Sequence, residues 1–281
     1  MNSTSKSSGR AILCLSSKAP DPDAIHFAEQ IITAFNMRLI LLHTHRDTAE
    51  LTEGQQSFEL VQKLLQMPAA ELKEIRGDLE SALKEELDPA EHELVILGTS
   101  AESFDRRTMV MSQRLAKRIG DSVLIIQNPS KSIQRILVCT GGHPASNLVI
   151  ERGLQLGQAL AAEVTILHVA TSIPTMYTGL PDIEEGLQDI LSRDTPLAQH
   201  LRGAAKLSEE QAVNAKLELR HGVVAEEILR ACEMEDFHLV LIGSPEPRRV
   251  FDVFALGRIG PQLLTSTKVP LLIARIEPDE S

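Results

Sequence analysis

Short apolar runs, unbroken by polar residues, recur along the chain with amphipathic stretches of helical length between them. Ala11-Ile12-Leu13-Cys14-Leu15, Leu39-Ile40-Leu41-Leu42-His43, Leu94-Val95-Ile96-Leu97-Gly98 and Val123-Leu124-Ile125-Ile126 form one set. Arg135-Ile136-Leu137-Val138-Cys139, Val164-Thr165-Ile166-Leu167-His168, Leu239-Val240-Leu241-Ile242-Gly243 and Pro270-Leu271-Leu272-Ile273 form a second set in the same order. Such runs read as strands covered on both faces, as in a parallel sheet between helix layers. Ala24, Phe27, Ala28, Ile31, Ile32 and Phe35 fall at helical spacing after the first strand of one set, and Leu148, Leu154, Leu156 and Leu160 hold the same place in the other. His43 and His168 lie 125 positions apart, and Ile12 and Ile136 lie 124 apart. Four matched segments in register mean a duplicated domain rather than a short-period solenoid.

The second set predicts five strands. After the His168 strand comes an insertion over 172–215 with helices at 182–191 and 197–215. A strand follows at 217–221, closed by Gly222; then a helix marked by Val224, Ile228 and Cys232, a strand at 238–242, a helix at 257–265 and a last strand at 269–275. The first set is shorter, with 51 positions from His43 to Leu94 against 71 from His168 to Leu239. Its interval reads as two helices, 58–66 and 69–87, so the third strand there is expected to be missing or irregular. Right-handed crossovers turn these orders into two doubly wound, mostly parallel five-stranded α/β sheet domains, the first one shortened. The expected boundaries are a disordered tail over 1–10, a first domain at 11–128, a polar linker at 129–134, a second domain at 135–276 and a tail at 277–281.

Composition narrows the partners. A formal charge of −11 repels a phosphate backbone, and 3% aromatic residues leave few rings for base stacking, so no nucleic acid is expected. No apolar stretch approaches the ~20 residues of a membrane helix, and Met1 to Arg10 lacks a signal-peptide core, so no membrane association and a cytoplasmic location are expected. Cys14, Cys139 and Cys232, odd in number and without CxxC spacing, fit a reducing compartment and buried, inert thiols.

Ligands of open parallel sheets sit beyond the carboxyl ends of the strands. There the second half carries Gly141-Gly142, Gly222 and Gly243, with Gly257 opening the next helix. Glycine lets backbone N–H groups approach a ligand, and a helix N-terminus favours phosphate. The runs Arg135 to Gly142, Ile166 to Val169, Leu219 to Gly222 leading to Glu227-Ile228-Leu229, His238 to Ser244 and Lys268 to Ile273 resemble a universal stress protein domain across the whole second half. The first half resembles the same family through its first strand, Leu41-Leu42-His43, Leu94 to Gly98 and Ser122 to Ile126.

The resemblance implies a tandem member of the UspA-like family, with an adenine nucleotide alpha hydrolase-like fold, acting as a regulatory or stress-response module. It implies ATP or AMP as the ligand of the second domain, held by Gly141, Gly142, Val169, Gly222, Gly243, Ser244, Gly257 and Arg258. It also implies that the two domains pair as a covalent pseudo-dimer through their last strands, 123–127 and 269–275. A further homodimer and a protein partner of unknown identity stay open.

ATP-binding members carry G-x2-G-x9-G-[ST] and an Asp after the first strand. This chain keeps Gly243 but has Glu246 at the second glycine, Gly257 one residue late, Arg258 in place of Ser or Thr, and Gly141 in place of the Asp. Glu246 brings negative charge toward phosphates, which Arg248, Arg249 and Arg258 are able to offset. In the first half no glycine occurs from Thr99 to Ile119, so no cradle is expected there. A scaffold that has lost ligand binding in both halves is therefore the alternative, and a nucleotide hydrolase ranks below it.

No catalytic residue and no metal site are expected. Ser16-Ser17 and Ser244 lack a G-x-S-x-G elbow. His43, His45 and His26 lack converging partners at metal-ligand spacing, and His43 is expected to be a satisfied, partly buried polar group like its repeat mate His168. Glu184-Glu185 and Glu209-Glu210 read as solvated helix faces. The insertion, with Pro174, Met176, Tyr177 and Pro181 ahead of its helices, reads equally as a lid or as an ordinary cover on the sheet.

Overall fold

The computed structural model describes residues 9–16, 18–67, 71–87, 93–100, 110–112, 114–115, 121–170, 186–245 and 259–276. The chain divides into two compact units, Met1–Ile133 with Lys268–Ile273, and Gln134–Thr267 with Ala274–Ser281.

The first unit runs β1 (Arg10–Leu15), α1 (Pro22–Ala34), β2 (Arg38–His45), α2 (Thr48–Leu64), β3 (Glu71–Arg76), α3 (Leu79–Glu86), β4 (Glu93–Leu97) and β5 (Ser122–Ile125). Its strand order is β3-β2-β1-β4-β5, and every one of these pairs is parallel. Leu271–Ile273 add to β5 as an antiparallel strand in register with Val123–Ile125. Apolar residues fill β1, β2 and β4 because helices cover both faces: Ile12, Leu13, Leu41 and Ile96 are wholly buried. The α1 face that meets the sheet is the one its spacing predicts, with Ala24, Phe27, Ala28, Ile31 and Ile32 buried. Asp21 caps this helix by accepting the Asp23 N–H, and Pro22 occupies its first turn.

The expected gap at the third strand is not there. β3 pairs with β2 over six residues, from Ile40↔Glu71 to His45↔Arg76. It is an edge strand with no fully buried side chain, and its Leu72 and Ile75 fall at a spacing that imitates a helix. Backbone pairing with β2 wins over that local preference. The helix after it begins only at Leu79, behind the cap Asp78, and the helix before it spans Thr48–Leu64 rather than 58–66.

The second unit runs β6 (Arg135–Thr140), a 3-10 turn (Pro144–Ser146), α4 (Asn147–Leu160), β7 (Glu163–Ala170), α5 (Leu187–Leu191), α6 (Pro196–Glu210), β8 (Ala215–His221), α7 (Val224–Met234), β9 (Leu239–Pro245), α8 (Ile259–Ser266) and β10 (Leu271–Ile276). Its order is β9-β6-β7-β8, all parallel, and of β10 only Ala274–Ile276 belong to this unit. Of the expected apolar face of α4, Leu154 and Leu156 are buried and Leu148 only half-buried, the place of Leu148 being taken by Val149 and Ile150.

Strand register sharpens the repeat. Arg10 pairs with Arg38 and Arg135 with Glu163, so both strands carry a constant offset of 125. Cys14 therefore corresponds to Cys139, Leu15 to Thr140 and Ser16 to Gly141, one position away from the 124 offset that Ile12 and Ile136 imply. The described part of the insertion is an ordinary cover: Ile190, Ala198 and Leu201 form a cluster with Leu187, Leu191 and Leu197, seated on Leu217 and Leu219 of β8. Pro174, Met176, Tyr177 and Pro181 lie outside the described residues.

Candidate functional site

In each unit the chain leaves the first strand in one direction and returns for the fourth strand on its other side. That reversal opens a crevice at the carboxyl ends, between β1 and β4 in one unit and between β6 and β9 in the other.

In the second unit the crevice is floored by Thr140, Gly141 and Gly142. Gly142 has φ +78, a left-handed conformation that suits glycine, and a Cβ there would lie 2.6 Å from Leu197 Cδ1 and 2.8 Å from His168 Cε1. Its N–H donates to Thr140 Oγ1 at 3.2 Å, and the Gly141 N–H donates to the buried Ser146 Oγ at 3.2 Å. Ser146 thus serves the turn instead of capping α4. Both glycine amides are engaged inside the turn.

Imidazoles gather on this turn. His200 of α6, 8% exposed, meets Thr140 Oγ1 through Nε2 at 2.7 Å. His168, in register with Thr140 on β7, meets the Thr140 carbonyl through Nδ1 at 3.1 Å. Because a carbonyl only accepts, His168 Nδ1 carries the proton and Nε2 the lone pair. His143 folds back so that its Nε2 lies 2.7 Å from where a Cβ on Gly141 would sit. Burial lowers the pKa of His200 to about 4, and His143 and His168 push the same way. Burial also lowers that of His168, opposed by its bond to Thr140 and reinforced by His221 and His143. Both rings are neutral at pH 7.

The other expected site residues are dispersed. Gly243 and Ser244 lie in β9 next to the turn, where Arg275 Nη1 donates to Ser244 Oγ at 3.3 Å. Gly222, φ +143, ends β8 and donates its N–H to the Ala170 carbonyl at 3.0 Å. Val169 is buried and, by strand alternation, faces away from His168. Gly257, Arg258, Glu246, Arg248 and Arg249 lie outside the described residues, as do Glu184 and Glu185. Thr140, Ser146, Leu197 and His200 were not singled out from the sequence as site residues. His200 reaches Thr140 across 60 positions, a contact with no local signature.

In the first unit the matching crevice is stitched shut. Thr99 Oγ1 donates to the Cys14 carbonyl at 3.3 Å, the Asp21 N–H donates to the Thr99 carbonyl at 2.9 Å, and Pro20 bridges to Ser100. His43 departs from expectation: it is 1% exposed, and neither ring nitrogen finds a hydrogen-bond partner among the described residues. Its ring stacks on His45 at 6.3 Å and lies against Gly54 of α2, where a Cβ would come within 2.1 Å of Nδ1. Burial lowers its pKa, helped by His45 and opposed by Glu74, Glu50 and Glu53. His26 lies on α1 beside Glu29, away from this pair. Among the described residues no group of three or more His, Cys, Asp or Glu is placed to hold a metal ion. Burial raises the thiols of Cys14 and Cys232 to about 12 and about 11, and that of Cys139 well above its ordinary value, so none is an activated nucleophile. No helix among the described residues is long and apolar enough to cross a membrane.

An open, parallel α/β sheet whose strand order reverses at a glycine turn defines a doubly wound class of fold. The universal stress protein family model matches residues 132–275, and the chain belongs to that family. A universal stress protein of Methanocaldococcus jannaschii is 24% identical over 153 residues, which is 54% of this chain and 87% of that protein. Universal stress protein A of Yersinia pestis is 26% identical over 151 residues, 53% of this chain and 95% of that one. The crystal structure of a universal stress protein from Archaeoglobus fulgidus superposes with a TM-score of 0.67 over 97% of this chain and 98% of its own, at 12% identity. At that identity the likeness is one of fold.

Proposed function

We propose that the protein is a tandem universal stress protein that works in the cytoplasm as a regulatory, stress-response binding module rather than as a catalyst. Its two domains would be joined through their last strands as a covalent pseudo-dimer. The β6/β9 crevice would be its one ligand site, taking an adenine nucleotide such as ATP or AMP, and the ordered turn would change the surface offered to a protein partner. The carrying observation is the left-handed turn at Gly142, placed at the sheet's reversal point inside the segment that matches the family.

A second reading, a scaffold that binds no nucleotide, is favoured by one specific contact. Leu197 and His200 of α6 already rest on Gly142 and Thr140. Thermal melting with and without ATP, AMP and Mg²⁺ separates the two. A ligand at about 100 times its Kd stabilises the fold by about 2.7 kcal/mol. A rise in melting temperature supports the nucleotide reading, and no rise with any of the three supports the scaffold.

A further inference from the structure

Polar atoms sealed in a protein without partners are rare and call for a reason, and the first unit holds three of them side by side. His43 is 1% exposed, and neither Nδ1 nor Nε2 has a hydrogen-bond partner among the described residues; Nδ1 of His45 is buried and unpartnered as well. The two rings share one face of β2, their planes 12° apart. α2 closes over His43 at Gly54, where a Cβ would lie 2.1 Å from Nδ1 and 2.2 Å from Cε1. Such a fit suits a neutral ring. A protonated ring needs acceptors at both nitrogens, and Gly54 has no side chain to supply one.

The helix above this pair is loosely held. Of its 17 residues α2 buries only Gly54, Ser57 and Val61, whereas the 13-residue α1 buries seven. Its one polar anchor is on the loop that leaves β1: Ser57 Oγ lies 3.2 Å from the Ser16 carbonyl and 3.0 Å from the Lys18 carbonyl and donates its proton between them. That loop runs on to Asp21, whose N–H is bonded to the Thr99 carbonyl.

We propose that α2 is a proton-released latch: protonation of His43 lifts the helix from β2, and Ser57 then lets go of the loop that leaves β1. The proton passes from solvent to a ring nitrogen of His43, and no covalent bond changes otherwise. The latch lies in the unit to which no ligand site is assigned, so it stands whether or not the β6/β9 crevice binds a nucleotide.

The charges around the pair set the direction. Glu50 and Glu53 of α2 and Glu74 of β3, the register partner of His43, pull a proton toward the ring, and His45 opposes them. On β1 the register partner is the uncharged Leu15. Arg76 of β3 is in register with His45, Arg46 of β2 is bonded to Glu50, and Asp47 caps α2. Burial outweighs the three carboxylates, so the closed form takes the proton only below the ordinary imidazole range. With α2 lifted the burial is gone, and the open form takes it near pH 6.5. Opening is therefore opposed above about pH 6.5 and favoured as pH falls below it.

Hydrogen exchange of the full chain at pH 7.5 and 5.5, each corrected for the intrinsic exchange rate, tests this. One linked proton raises the open population by up to ~10-fold over the interval. Protection is expected to fall by that factor in α2 and from Lys18 to Asp21, while α1 keeps its own. His43→Leu, with no proton to gain, is expected to hold α2 equally at both pH values, and His26→Gln on α1 to leave the loss unchanged. If His43→Leu fails to fold by circular dichroism, imidazole NMR of the unaltered chain takes its place: His43 protonation and the loss of α2 protection must share one midpoint.

Equal protection of α2 at both pH values would overturn the inference. So would a parallel loss in α1 and α2, which marks unfolding of the whole unit, a loss that survives His43→Leu, or two separate midpoints.

Discussion

The β1/β4 and β6/β9 crevices occupy the same place in two units of the same strand order yet differ in chemistry. In the first unit, Thr99, Asp21 and Pro20 tie the two strand ends together, and the buried His43 of β2 stacks on His45 and feels the charges of Glu74, Glu50 and Glu53. In the second, the equivalent histidine is bonded to the turn and faces other imidazoles. The central strands β1, β4 and β6 tolerate little change because they are packed on both sides. The strand order is thus stated twice, and the turn at the strand ends is built differently each time.

The comparison breaks most sharply at its glycines. Gly98, φ +88, has the Ile126 carbonyl oxygen 2.1 Å from where a Cβ would sit, and a backbone carbonyl just past β5 cannot turn aside as a side chain can. Gly98→Val is expected to destabilise the first unit by about 3 kcal/mol or more in urea titration. Gly142→Val should cost less, about 1–3 kcal/mol, because Leu197 and His168 are side chains that can turn aside. A larger loss at Gly142 than at Gly98 would contradict the picture of one closed crevice and one adaptable one.

Acid is the next lever. His43, His168 and His200 all have pKa values lowered by burial, so the unfolded chain binds protons near pH 6.5 that the folded chain refuses. Stability is thus full above about pH 6.5 and falls as pH drops through the lowered values, reaching about 4 for His200. Melting temperature measured from pH 7.5 to 4 should fall monotonically.

Single hydroxyls come next. Thr140→Val leaves the Gly142 N–H and the buried His200 ring without their shared partner, at about 1–3 kcal/mol, whereas Thr99→Val loses one bond to the Cys14 carbonyl, at about 1 kcal/mol. The smallest effect has the opposite sign. His43→Leu removes two buried ring nitrogens without partners and should stabilise the protein by about 1 kcal/mol at pH 7 and by more at pH 5.

The strands buried on both faces were legible because Ile, Leu and Val runs carry their own signal, and the alternating Leu217 and Leu219 marked β8. β3 was not legible. An exposed edge strand needs only backbone partners, and Leu72 with Ile75 followed the helical period; the break at Gly77-Asp78 was the one local clue. At the site, the glycine turn and the His43/His168 correspondence could be read from the repeat, but the state of each histidine could not. His43 lies orphaned beneath Gly54 of α2. His168 depends on Thr140, and both it and the turn depend on an α6 residue that only the fold brings near. Long-range contacts of that kind leave no periodicity in the chain.

Site-resolved imidazole NMR with AMP at pH 6.5 tests the divergence of the two crevices most directly. Shifts confined to His143, His168, His200 and His221, with His43 and His45 unmoved, are the expected result. Shifts at His43 and His45, or equal responses in both units, would contradict it.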